Sequence, residues 1–229
     1  MGKDLEDIRF LEVMRQSLER LEGSESGGDT ARWRQSALEL LRSAEQGLHE
    51  LVEREDLEEQ EAEEALQALK VTRRELDQEF FRVITALDVR LGELRISGEM
   101  EPEELIVLGQ FLNRYHDGSF RGLRSAAAIS QAQRAYELAV HYRVPGDEVE
   151  RISGRVEDMR AALSSTTKEG AEAIEAYGEL VEGRSMARVC YMTARDLVSA
   201  SLRFEGEHER LDWYIPSLGD IFMVGFNVQ

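Results

Sequence analysis

Glu45, His49 and Glu53 stand four residues apart, a spacing that puts two carboxylates and an imidazole on one helix face, where they could ligate a metal or form a ladder of ion pairs. A carboxylate-held metal centre in a helical bundle repeats Glu-x-x-His over several helices, and that repetition is missing, so a surface ladder is expected. The histidines at 49, 116, 141 and 208 form no His-Glu-x-x-His pair, which removes the zinc-protease reading. His208 lies between Glu207 and Glu209 in what reads as a polar link. Cys190 is the only cysteine; no base is marked out to activate it, and it is expected to act as a small core residue. The glycines at 23, 27 and 28 lack the Lys-Ser/Thr ending and the preceding strand of a phosphate loop, and no Gly-x-Ser-x-Gly elbow occurs. Adjacent carboxylates carry little information in a chain with 46 Asp and Glu. No catalytic residue, metal ligand or cofactor is therefore expected, and the chain reads as a non-enzyme.

Binding chemistry is easier to find. Residues 53–64, EREDLEEQEAEE, hold eight acidic side chains against one arginine, and Leu57 is their only large apolar residue. Glu53, Glu55, Asp56, Glu58, Glu59, Glu61, Glu63 and Glu64 cannot be buried without a large desolvation cost, so the stretch is either a solvated helix or hairpin tip, or a docking surface for a basic partner. A second candidate is the end of the chain, WYIPSLGDIFMVGFNVQ, whose only charged side chain is Asp220. Pro216, Gly219 and Gly225 interrupt it, and its composition suits an extended or strand-like segment. Trp213, Tyr214, Ile215, Phe222, Val224 and Phe226 then have three possible destinations: a groove on the parent bundle, a partner that takes them as an added strand or peptide, or a membrane.

The elements that would position these groups are helical. Only three prolines occur in 229 residues, and 32% of the side chains are charged. Leu5, Ile8, Leu11, Leu18 and Leu21 mark a first helix that ends at Gly23–Gly28, and Asp29 or Thr30 can cap the next. From Ala31 to about Ile96 there is no proline and only Gly47 and Gly92 intervene. A continuous helix of that size would measure about 100 Å, against a radius of gyration of about 17 Å for a compact domain, so it must project or pair along its length. Leu66, Leu69, Leu76, Phe80, Val83, Leu87 and Leu94 form a heptad-like seam in its distal half, with Arg73 and Arg90 at two seam positions, where they are expected to meet acidic groups and to prevent a uniform zipper.

Ser97-Gly98 breaks the pattern, and Pro102 with Glu103 and Glu104 starts a helix whose inner stripe is Leu105, Leu108, Leu112 and Tyr115. An alanine-rich helix is expected over about 120–142. Ala132, Tyr136 and Ala139 share the small–aromatic–small spacing of a tetratricopeptide helix, but the echo at Ala173 and Tyr177 arrives 41 residues later, against that repeat's period of about 34. Val149, Ile152, Val156, Met159 and Leu163 form the clearest amphipathic stripe, which Ser164-Ser165-Thr166-Thr167 is expected to weaken or end. Further helices are expected around 171–181 and 185–204, with Met186, Val189, Leu197 and Phe204 inward.

The expected fold is all-α: a long N-terminal helical hairpin or arm (1–97), a C-terminal multi-helix bundle (98–206) and a short extended apolar tail (207–229). A net charge of −18 excludes direct nucleic-acid binding and disfavours anionic membranes. No stretch approaches the roughly 20 apolar residues of a membrane span, and the charged first residues lack a secretory pattern, so a reducing cytoplasm is expected. The expected function is a helical adaptor or scaffold that binds a protein partner, basic in character, through the acidic helix, the apolar tail or both; homo-oligomers are compatible with the seam. The alternatives are a regulatory inhibitor that sequesters a basic target, as a nucleic-acid mimic or transcription-factor regulator, and, behind it, a carboxylate-bundle metalloenzyme.

Overall fold

The computed structural model describes residues 5–24, 28, 30–98, 101–115, 118–144 and 146–223, with the side chains of 222 and 223 excepted. Among the described residues there is no strand, and the all-α expectation holds. The helices are α1 (Leu5–Glu22), α2 (Thr30–Ser97), α3 (Pro102–Tyr115), α4 (Ser125–His141), α5 (Glu148–Glu205), α6 (Leu211–Tyr214) and α7 (Leu218–Met223), with 3-10 turns at Ser119–Gly122 and His208–Arg210. The absence of proline lets α2 run unbroken for 68 residues. α5 is also continuous, for 58 residues, through the Ser-Ser-Thr-Thr stretch where a break was expected. The reason is local. Thr166 and Thr167 donate their hydroxyls to the carbonyls of Ala162 and Leu163, one turn back, so these side chains are satisfied inside the helix instead of competing with it.

The chain forms two compact units that do not follow a linear division at 97 and 206: one comprises 1–60 with 171–229, the other 61–170. Each has its own core. In the continuous unit, Leu76, Phe80, Val83, Leu87, Leu108 and Leu112 pack with Ala128, Ala132, Ala135 and Ala139 of α4, all inaccessible or nearly so. The alanines allow close approach, and Phe80 stacks on Phe120 with ring centroids 3.6 Å apart. Burying each large side chain of this kind contributes about 1.5–3 kcal/mol. Arg73 does not use its seam position to meet an acid across the seam. It donates to the carbonyl oxygens of Phe120 (2.9 Å) and Leu123 (3.1 Å), while its own helix supplies Asp77 as the counter-charge at 2.8 Å. Arg90 likewise caps the Tyr142 carbonyl and pairs with Glu93. Both arginines thus cap turn ends, at Phe120, whose carbonyl also accepts the Leu123 amide, at Leu123, and at Tyr142.

The other unit joins α1, the first half of α2 and the second half of α5 with α6 and α7. Its core holds Phe10, Met14, Leu41, Leu48, Tyr191 and Val198. The inward face of α1 is Asp7, Phe10, Leu11, Met14, Ser17 and Leu21, so Leu5 and Ile8, expected inward, are exposed. Gly183 lets α5 lie close to α2, because a Cβ there would run into the Leu51 side chain. Asp7 accepts two bonds from Arg184, and the buried Arg34 pairs with Glu205 while donating to Ser201 and Ser24 at 3.1 Å each. Thr30 completes that cluster by donating to Glu205. A guanidinium this enclosed is tolerable only because its donors are met.

Candidate interaction surface

The acidic stretch lies in the middle of α2 and is helical throughout. Glu53, Glu61, Glu63 and Glu64 are exposed; Glu55, Asp56, Glu58 and Glu59 are partly covered. Glu53, Glu55, Asp56, Glu58 and Glu59 belong to the unit that contains the chain's first helix, and Glu61, Glu63 and Glu64 to the continuous unit. Arg54, the single arginine of the stretch, pairs with Glu179 of α5 at 2.5 Å. Partial burial raises the Glu55 pKa above its ordinary value, and Glu59 and Asp56 push the same way, against the pull of Arg184. His49 faces Glu53 at 3.3 Å, but Glu45 turns to Arg15 of α1 at 2.6 Å, so the three residues do not converge on one point.

The tail is apolar and folded against its own unit. Tyr214 and Ile215 are 3% and 0% exposed, and Ile221 joins the same core. The backbone is extended at Ile215, but α6 and α7 flank it, so 211–223 is largely helical where an extended run was expected. Helix formation meets the amides that an isolated strand would leave open. Side chains of α1 and α5 then take up the remaining carbonyls: Tyr191 donates to Pro216 (2.9 Å), Arg20 to Trp213 (2.5 Å), and Arg195 to Ile215. Burial pushes the Tyr191 phenol up to about 12. Trp213 remains half-exposed between Arg20 and Arg210. The Phe222 side chain, Val224 and Phe226 lie outside the described residues.

A surface that sequence reasoning missed runs along the outside of α5. Ile174, Tyr177, Val181, Met186, Val189 and Met192 are all exposed, with Ile174 at 75%, Met186 at 66% and Val189 at 61%. Met186, Val189 and Phe204 had been expected inward; instead Leu180, Ala187, Tyr191, Ala194, Val198 and Leu202 form the inner face. Met186 lies five residues after Val181 with the polar Ser185 between them, so these side chains spread over about half of the helix circumference. Cys190 is partly buried beside the core of this unit.

An open pocket of about 520 Å³ in the continuous unit is lined by Ser130, Gln131, Arg134, Glu137 and Arg160 among others, with Arg134 lying over the Phe111 ring. Comparison with protein-family models, curated proteins and solved structures gives no match to this chain. Among the described residues no helix is long and apolar enough to cross a membrane.

Proposed function

We propose that this chain is a non-enzymatic helical adaptor or scaffold that binds a basic protein partner through the acidic surface of α2. The observation that supports this best is the exposure of Glu61, Glu63 and Glu64 on α2 in the continuous unit, and of Glu53 in the other, where the one local arginine is already engaged by Glu179. Clustered charge of one sign steers an oppositely charged partner and discriminates against acidic ones. The burial of Tyr214 and Ile215 moves the proposal away from a free tail peptide, while Trp213 is the exposed aromatic among the described residues of that segment. A cytoplasmic setting accords with the lone cysteine.

Affinity capture from native lysate with the full chain, and with Glu53, Glu61, Glu63 and Glu64 each changed to Gln, tests the reading. A specific protein retained by the parent and lost by the variant is the expected result, with retention falling as salt rises. Equal capture by both chains, insensitive to salt, rejects it. A regulatory inhibitor of a basic target would bind through the same carboxylates, and is distinguished by loss of the target's own nucleic-acid binding when the complex forms.

A further inference from the structure

We infer that the pocket over α4 in the continuous unit is a binding site for a small organic acid, whose carboxylate is held by Arg134 with Arg160 nearby and whose apolar body lies along α4 toward Ala126. The site is separate from the acidic surface of α2 and does not depend on the adaptor reading. Three of its lining side chains carry hydrogen-bond donors that meet no acceptor among the described residues. The Arg134 guanidinium has neither an ion pair nor a hydrogen bond; it lies over the Phe111 ring, 5.4 Å from the centroid, a contact that engages none of its donors with an acceptor. Tyr115 donates to Gln131 Oε1 at 2.8 Å, so the amide nitrogen of Gln131 is the group left over. The exposed Ser130 hydroxyl is the third. The lining carboxylate, by contrast, is already engaged, because Glu137 accepts from Gln133 at 3.1 Å. Arg160 borders the pocket from α5, where it reaches Gln133 Oε1 at 3.5 Å and pairs with Glu157.

Spare donors beside an engaged acceptor select an occupant that only accepts, a carboxylate or a phosphate. Charge chooses between the two. The charged lining residues are two arginines and one glutamate, which leaves one positive charge, and Glu157 already offsets part of it from outside the lining. A monoanion matches that balance, whereas a phosphate dianion exceeds it. The shape of the pocket adds the apolar body. Ala126, Ser130 and Arg134 stand four residues apart and share one row of α4, about 12 Å from end to end, with Ala126 and Ile129 as the apolar lining away from Arg134. A carboxylate at Arg134 therefore has the Ser130 hydroxyl one turn away and apolar contact beyond it. The volume, about 520 Å³, is that of a site for a small molecule.

The test is calorimetric titration of the full chain with hexanoate, hexylammonium and inorganic phosphate; the second shares the apolar body of the first, and the third its negative charge. Hexanoate is expected to bind saturably and at least about tenfold more tightly than either of the others. Arg134→Gln is expected to weaken hexanoate by about tenfold or more, and Arg134→Lys by less, because lysine keeps the charge and loses the planar fork. Ala126→Glu, at the apolar end, is expected to weaken it several-fold. Both positions are exposed, so the circular-dichroism melt is expected to stay unchanged. Should Arg134→Gln shift the melt, Arg134→Lys and Ala126→Glu decide in its place, and hexanoate binding indifferent to both overturns the inference. Absence of saturable hexanoate binding overturns it, as does binding that hexylammonium equals or that a folded Arg134→Gln chain keeps within about twofold. Phosphate binding as tight as that of hexanoate overturns it too, and would show an anion site with no place for the apolar body.

Discussion

The C-terminal segment and the outer side of α5 exchange the roles that their compositions suggest. Residues 211–221 have the apolar character of a docking peptide, yet Tyr214, Ile215 and Ile221 are core residues. The second half of α5 is an ordinary helix in composition, yet it leaves Ile174, Met186 and Val189 in solvent. What separates them is the supply of partners. Arginines and a tyrosine on α1 and α5 take up the carbonyls of Trp213, Ile215 and Pro216, so these acceptors are met where the tail joins the core. α5 meets its own backbone needs and is apolar on more than one side, so one face is left over after the other is buried.

Three substitutions break or sharpen this contrast. The largest effect is expected from Ile215→Ala, which removes an inaccessible side chain and should cost about 2–5 kcal/mol, read by urea denaturation. A cost below about 0.5 kcal/mol would show the tail to be dispensable to its unit. Next comes Tyr191→Phe, which leaves the Pro216 carbonyl without its donor and should cost about 1 kcal/mol. The same residue gives a pH signature. Its folded pKa is raised from 10 to about 12, so the stability it contributes is complete below 10 and is lost as pH rises through 12. Stability measured between those limits should therefore fall with pH, and Tyr191→Phe should remove that part of the slope. The smallest effect on folding is expected from Val189→Asp, within about 0.5 kcal/mol, because the side chain already faces water. A large loss there would mean that Val189 is covered.

The length of α2 was legible because neither proline nor adjacent glycines interrupt residues 31–96. Pro102 and the following glutamates marked the start of α3 for an equally simple reason, the fit of proline and carboxylate to a helix N-terminus. Continuity of α5 was hidden because Ser and Thr have low intrinsic helix preference, whereas their hydroxyl bonds to the preceding turn depend on the rotamer chosen. Its inner face was hidden for another reason. Apolar side chains at 186, 189, 191 and 198 fall all round the helix, so periodicity alone gives no phase. The acidic run was visible as composition, but which side of α5 is buried depends on how α2 and α5 pair at Leu51 and Gly183, a long-range contact that no local pattern encodes.

One unit is assembled from residues 1–60 and 171–229, while the other is a single stretch of chain. During synthesis at about 5–20 residues per second, the intervening 61–170 takes roughly 5–20 s to appear, and the unit it forms can close in that time. Meanwhile Phe10, Met14, Leu41 and Leu48 have no α5 to receive them. The nascent N-terminal helices therefore present a greasy surface until the last quarter of the polypeptide emerges to conceal it.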